Sequence, residues 1–190
     1  MDSLPVYIMA GGKSSRFGRD KARATVDGRP LIVRLAETVR PQTSTVTAVA
    51  DVPDKYADLG IRTIADIQPG LGPMAGLQAA LADVTTDTWL LLLSCDFVGI
   101  RPEWIRTLTE HIRPNAQTVL FRDVRWEPLL ALYHSSIKPV VDKHIARAHC
   151  PMWALVEDLD HVALSIPSGW SRLRNVNVPE DLPCDTKKWR

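Results

Sequence analysis

The residue types that could do chemistry crowd into one short stretch. Met9-Ala10-Gly11-Gly12-Lys13-Ser14-Ser15-Arg16-Phe17-Gly18-Arg19-Asp20-Lys21-Ala22 holds three glycines, four cations and two serines, directly after an apolar run from Val6 to Ala10. Glycines let main-chain N–H groups approach a phosphate closely, and cations offset its charge, Arg16 as a planar fork and Lys21 as a point charge. The stretch fits a polyphosphate cradle; taken alone, it could also be a flexible basic surface loop. Two nucleotide motifs are excluded. Gly12-Lys13-Ser14 looks like the end of a P-loop, but Tyr7 stands where that motif needs its first glycine. The dinucleotide pattern G-x-G-x-x-G fails as well, because Gly11 and Gly12 are adjacent and the next glycine is Gly18.

A second candidate is acidic. Asp96 follows the apolar run Trp89 to Leu93 at the expected carboxyl end of a buried strand, where an uncompensated carboxylate is costly. A bound Mg²⁺ would supply the missing positive charge through hard oxygen ligation. The competing role for Asp96 is the N-cap of a helix before Pro102. Cys95, Cys150 and Cys184 are odd in number and form no C-x-x-C pair, which points to reduced structural thiols rather than disulfides or zinc. His111, His134, His144, His149 and His161 lack H-E-x-x-H spacing and read as surface or interface imidazoles.

The elements that must position these groups alternate. Val6 to Ala10 reads as a buried strand, and Leu31 to Arg40 as a helix between Pro30 and Pro41. Thr45 to Ala50 and Ile61 to Ala65 read as strands around a helical turn at Asp54 to Leu59. A helix opening at Pro73 precedes the strand Trp89 to Leu93, which is apolar on both faces and so belongs mid-sheet. Next come a helix Pro102 to His111, strands near Thr118 to Arg122 and Pro128 to Tyr133, a helix Ser136 to Ala148, a strand Val162 to Ile166 and a terminal turn Pro179 to Leu182. The two strands at 118–133 are too close for a helical crossover and should pair antiparallel. This order predicts a three-layer α/β/α fold with a mostly parallel sheet and at least one antiparallel strand. Loops after Ala10, Ala50, Ala65 and Leu93 should then converge on one cleft.

Composition sets the outer bounds. The 190 residues, 45% apolar and 24% charged, make one domain over 1–190, with a tail at 184–190 expected to fray. A formal charge of +1 offers no footprint for long nucleic acid or an anionic membrane. No apolar run approaches the roughly 20 residues of a membrane span, and the start MDSLPVYIMAGG is unlike a signal peptide, so a cytoplasmic protein is expected.

The first loop resembles the signature L-A-G-G-x-S-x-R-[MF]-G-x-D-K of the molybdenum cofactor guanylyltransferases (MobA-like), within the nucleotidyltransferase superfamily. The resemblance continues through Asp66-Ile-Gln-Pro-Gly-Leu-Gly-Pro-Met-Ala-Gly76, Ser94-Cys-Asp96, Glu127-Pro-Leu-Leu-Ala-Leu132 and Asn175-Val-Asn177-Val-Pro-Glu-Asp-Leu182. It implies a Rossmann-like nucleotidyltransferase fold and transfer of GMP from GTP with Mg²⁺ to the terminal phosphate of molybdopterin, releasing pyrophosphate. Met9, Ala10, Gly11 and Gly12 would then approach the nucleotide by their backbones, and Arg16 and Lys21 would neutralise the β- and γ-phosphates. Asp96 would hold the magnesium, and Asp66, a mere turn residue on type alone, would contact the nucleotide with Gly70, Gly72 and Gly76 allowing close approach. Lys13 and Arg19 fall at variable positions and read as solvated charges, while Asn175 and Asn177 are implied to touch the acceptor or metal, or else to form a turn.

Two positions depart from the family pattern: Val98-Gly99 stands where a proline usually follows the magnesium aspartate, and Ala48 stands where some relatives carry a nucleotide-contacting asparagine. The doubled Gly11-Gly12 is typical of the guanine-selecting branch rather than of cytidine-selecting relatives. The alternatives are a relative using CTP or a sugar-phosphate-type acceptor, or a catalytically silent nucleotide- or molybdopterin-binding protein that delivers cofactor to a molybdoenzyme apoprotein.

Overall fold

The computed structural model describes residues 4–11, 20–43, 45–68, 70–148, 151–176 and 178–181. Its main sheet has seven strands: β1 (Pro5–Met9), β4 (Thr45–Ala50), β5 (Arg62–Ala65), β6 (Trp89–Ser94), β8 (Thr118–Arg122), β9 (Trp126–His134) and β10 (His161–Ser165). Their spatial order is β10-β8-β9-β6-β1-β4-β5. Only β9 runs against its neighbours β6 and β8; the remaining ladders are parallel. The antiparallel 118–133 pair and the otherwise parallel sheet follow the sequence reading.

Period-two alternation explains the layers. Val6 and Ile8 of β1 and Leu91 and Leu93 of β6 face one core, shared with helices α1 (Leu31–Val39) and α3 (Pro102–Glu110) through Ile32, Leu35, Ile105 and Leu108. Tyr7, Met9, Leu90 and Leu92 face the other, shared with α2 (Pro73–Asp83), α4 (Lys138–Ala146) and α5 (Met152–Glu157) through Leu77, Val141 and Leu155. Helices on both faces complete the three layers. On the second side Asp83 accepts from Tyr7 Oη at 2.7 Å and from both Arg62 terminal nitrogens at 2.6 Å, tying the end of α2 to β1 and β5. That guanidinium holds the Asp83 carboxyl below its ordinary range.

Six short elements escape the periodicity argument. Strands β2 (Thr25–Val26) and β3 (Arg29–Pro30) form a hairpin whose turn residues Asp27 and Gly28 both have positive φ, the Asp-Gly pattern of a type I′ turn. Strand β7 (Phe97–Val98) pairs antiparallel with β11 (Arg174–Asn175). Helix α5 is six residues, too short to show a period. The helix expected at 136–148 begins as a 3₁₀ turn, Ser135–Ile137, before α4. His144 corrects the surface reading of the histidines: it is 7% exposed, with Nε2 2.9 Å from Asp158 Oδ2. Among the described residues no helix is long and apolar enough to cross a membrane. The 184–190 tail, His149, Cys150 and Leu182 lie outside them.

The β6 strand is buried on both faces and central, so Leu92→Ala leaves a cavity that neither face can close. We expect it to lower the unfolding free energy by about 2–5 kcal/mol in a denaturant titration.

Candidate active site

Parallel strands β1, β4, β5 and β6 end at one edge of the sheet, and backbone bonds lock their exits together. Ala10 N–H donates to Val49 O at 2.9 Å, Asp66 N–H to Ala50 O at 2.7 Å, and Cys95 N–H to Met9 O at 3.1 Å. The four strand exits expected to meet do lie at one edge, while residues 12–19 of the first loop lie outside the described residues.

Asp66 leaves β5 into a tight slot. A Cβ on Gly11 would stand 3.0 Å from Asp66 Oδ2, and one on Gly76, in the first turn of α2, would stand 3.3 Å from Oδ1 and overlap the Met9 methyl. Glycine at both positions therefore lets two backbones close on one carboxylate. Asp66 Oδ1 is buried with no hydrogen-bond partner, and burial, with Asp51 nearby, raises the carboxyl above its ordinary range. Gly72 caps α2 at φ +68°, a backbone conformation that requires glycine.

Asp96, beyond the end of β6, meets Lys21 from the first loop: Nζ lies 3.1 Å from Oδ2. The other oxygen, Oδ1, is buried and unpartnered. Asp96 O accepts from Val176 N–H at 2.9 Å, and β11 sets Asn175 opposite Phe97, adjacent in the chain to Asp96. A small apolar cluster of Ala24, Val26, Leu31 and Val176, with Val98 against it, joins the segments that carry Lys21 and Asp96. The pairing is thus positioned by the hairpin and by the β7–β11 ladder. Cys95, between them, is buried and its thiol is pushed up to about 12, which suits packing and not nucleophilic attack.

Two clamps hold the Lys21 turn. Asp20 caps the 3₁₀ turn Lys21–Arg23, accepting from Ala22 N–H at 3.0 Å. Its carboxylate also lies 3.0 Å from the Tyr56 hydroxyl and 3.4 Å from Lys55 Nζ. On the outside Arg23 forks onto Asp58 at 2.7 and 2.8 Å.

The arrangement supplies one cation, two carboxylates with vacant buried oxygens, and glycine-lined backbone at the carboxyl edge of a parallel sheet, where ligands of α/β folds bind. The family model described as the MobA-like NTP transferase domain matches residues 6–162. The chain belongs to this family.

Relatives of the MobA-like chain carry the same name across distant bacteria. A probable molybdenum cofactor guanylyltransferase of Carboxydothermus hydrogenoformans is 38% identical over 145 residues, 76% of this chain and 73% of that protein. One of Deinococcus radiodurans is 34% identical over 94% of this chain and 92% of the relative. The crystal structure of a molybdopterin-guanine dinucleotide biosynthesis protein A from Archaeoglobus fulgidus superposes with TM-score 0.80 over 94% of this chain and 95% of that one, at 23% identity, which supports the fold. The chain is a nucleotidyltransferase of Rossmann-like three-layer architecture.

Against the residues expected for a MobA-like site, the structure brings Met9, Ala10, Gly11, Lys21, Asp66, Gly72 and Asp96 to the same edge, with Asn175 beside the Asp96 loop. Gly12, Lys13, Arg16, Arg19 and Asn177 lie outside the described residues. Two of the alternatives are set aside. Asp96 is no N-cap, because α3 starts at Pro102 with Arg101 at its cap. Asn175 is a strand residue and not a turn amide. Ala48 is fully buried, paired with Ile8 and Thr63, and β4 ends at Ala50, where the sequence reading ended it. The Val98-Gly99 departure has its own geometry: Val98 pairs with Arg174, and Gly99 turns at φ +91°.

Residue-type reasoning missed Asp20, Tyr56 and Glu127. Asp20 sits inside the quoted signature beside Lys21, which was signal enough; Tyr56 is 36 residues away and had none. Glu127 lies three residues before Leu130, which pairs with Leu93, three residues before Asp96. It thus enters at the Asp96 end of the sheet, its carboxyl raised by burial and by Asp123. A cavity of about 770 Å³ opens at the opposite end, where β6 and β8 begin, but its carboxylates Asp87 and Asp160 are exposed. The unpartnered oxygens of Asp66 and Asp96 lie at the strand-exit edge and not in this cavity.

Because Asp66 is raised, its ionised form is the one disfavoured by folding, a cost present above the folded pKa and relieved as pH falls through it. Asp66→Asn is expected to raise the apoprotein Tm by about 2–4 °C near neutral pH, a gain that shrinks as the pH descends into the carboxylate range. An unchanged or lower Tm at neutral pH would contradict the assigned desolvation.

Proposed function

We propose that this protein transfers GMP from GTP to the terminal phosphate of molybdopterin, giving the guanine dinucleotide form of the molybdenum cofactor and pyrophosphate. The reading rests on the Lys21–Asp96 pair, at the same edge of the sheet as Asp66. The relatives named molybdenum cofactor guanylyltransferase support the substrate assignment.

Asp96 suits Mg²⁺. Oδ1 is a buried, unpartnered anionic oxygen, and among the described residues no cluster of three or more ligating side chains exists. One carboxylate with the remaining ligands from water and substrate phosphates is how Mg²⁺ is commonly held at nucleotide sites. When bound there the ion supplies charge neutralisation and alignment of the α-phosphate with its acceptor.

The chain's own groups account for the rest of the mechanism. The acceptor phosphate oxygen is already anionic, so attack at the α-phosphorus needs no protein nucleophile or strong base. The new bond forms from that oxygen to the α-phosphorus, and the bond to the β-phosphate bridging oxygen breaks. Lys21 would turn to the β- and γ-phosphates and offset the charge that accumulates on pyrophosphate, while Asp96 would hold the ion. Arg16 serves the same phosphates in this reading. The backbone of Met9, Ala10, Gly11 and Gly12 approaches the nucleotide, with Gly72 allowing the α2 loop close to it. Asp66 Oδ1 and Oδ2 form an acceptor pair for the base's N–H donors or the ribose hydroxyls. In this reading Asn175, set opposite Phe97, contacts the acceptor, and the resemblance gives Asn177 the same role.

The decisive assay gives purified protein GTP, Mg²⁺ and molybdopterin, with CTP, ATP and sugar phosphates in parallel, and follows pyrophosphate. We expect release with GTP and molybdopterin together; GTP binding without pyrophosphate under the full acceptor panel would favour a silent carrier. Asp96→Ala is expected to lose turnover while keeping its fold, and Lys21→Ala to lose about 10²-fold in kcat. Unchanged turnover in Asp96→Ala would remove the metal assignment.

A further inference from the structure

Among the buried polar groups that the mechanism leaves unused, Tyr56 lies nearest the candidate phosphate loop in its contacts. Tyr56 is fully buried, yet its hydroxyl reaches two segments far from it in sequence: the Asp20 carboxylate at 3.0 and 3.2 Å and the Ala10 carbonyl at 3.4 Å. The hydroxyl has one proton, and the nearer, charged oxygen of Asp20 takes it. Ala10 ends the first strand and Asp20 precedes Lys21, so one phenol touches both chain segments that frame the candidate phosphate loop.

Tyr56 itself cannot drift. Its N–H donates to Thr63 Oγ1 at 3.2 Å, its carbonyl accepts from Leu59 N–H at 3.0 Å and Ile61 N–H at 3.2 Å, and its ring belongs to the α1–α3 core. Asp20 is the adjustable partner. The same carboxylate caps the turn Lys21–Arg23 through Ala22 N–H, so rotation of Asp20 would rotate the backbone that launches Lys21 toward Asp96. The hairpin and its apolar seam hold the far side of this turn; of the other charged contacts on it, Lys55 is shared with Asp51 at 2.6 Å, and the Arg23–Asp58 fork lies in solvent, where ion pairs hold little.

We propose that Tyr56 is a positioning residue for the transfer step. Its hydroxyl fixes the Asp20 carboxylate and thereby sets where Lys21 Nζ stands relative to Asp96. The proposal rests on the reading of Lys21 as the cation for the leaving pyrophosphate, and it adds a group that touches neither nucleotide nor acceptor. Tyr56→Phe is the clean probe, since it keeps the ring and its packing and deletes only the oxygen.

The test measures steady-state GMP transfer for Tyr56→Phe in the wild-type and Lys21→Ala backgrounds, with Tm recorded for each. A group that acts through Lys21 loses its effect once Lys21 is gone. We expect kcat to fall by roughly 10-fold in the wild-type background and by less than about 2-fold in Lys21→Ala. Equal losses in both backgrounds, or full activity in Tyr56→Phe, would overturn the proposal. Amide hydrogen exchange separates this outcome from failure of the transfer reading itself, because it needs no turnover. Ala22 N–H should exchange about 10-fold faster in Tyr56→Phe, with the amides of β1 and β4 unchanged. Unaltered Ala22 exchange overturns the proposal whatever the protein's activity.

Discussion

The structure turns on a charge held where it has little company. Asp96 stands beyond the end of a strand that is apolar on both faces, with one oxygen paired to Lys21 and the other buried without a partner. Half-satisfied carboxylates of this kind cost stability, and folds keep them where a ligand completes the set. Asp66 repeats the pattern two strands beyond β1 in the same sheet, with its own vacant oxygen and a raised carboxyl. The strand-exit edge thus carries two carboxylate oxygens open to cationic or hydrogen-donating groups, and in the proposed function Lys21 is the internal counterion that substrate redirects.

Much of the remaining architecture can be read as the means of holding that arrangement. Both cores fix β1 and β6 side by side, which sets Met9 against Ser94 and brings the two exits together. The Asp27-Gly28 hairpin folds the chain after Lys21 back onto Val98 and Val176, so the segments bearing cation and carboxylate share one apolar seam. Glycines at 11 and 76 remove the atoms that would keep backbone away from Asp66. The formal charge of +1 conceals a local concentration: four cations fall between Lys13 and Lys21 in the sequence, and Lys21, the described one among them, meets Asp96.

The sequence made the layers legible because long elements carry their own period. Trp89 to Leu93 declared a central strand, and the close spacing of the 118–122 and 128–133 runs declared an antiparallel pair. Lys21, Asp66 and Asp96 were legible from residue type and resemblance. What escaped was short or distant. Two-residue strands such as Phe97–Val98 have no period to detect, although Asp27-Gly28 was a turn signal that could have been used. Tyr56 and Asp20 meet across 36 residues through a fold that had to be seen first.

The central claim is that Lys21 exchanges Asp96 for substrate phosphate as magnesium occupies the vacated carboxylate. A crystal structure of the protein with GTP and Mg²⁺ tests it most directly. The account predicts electron density for the ion against Asp96 and Lys21 Nζ turned away from its 3.1 Å contact onto the β- or γ-phosphate. An intact Lys21–Asp96 pair with nucleotide bound elsewhere would contradict it.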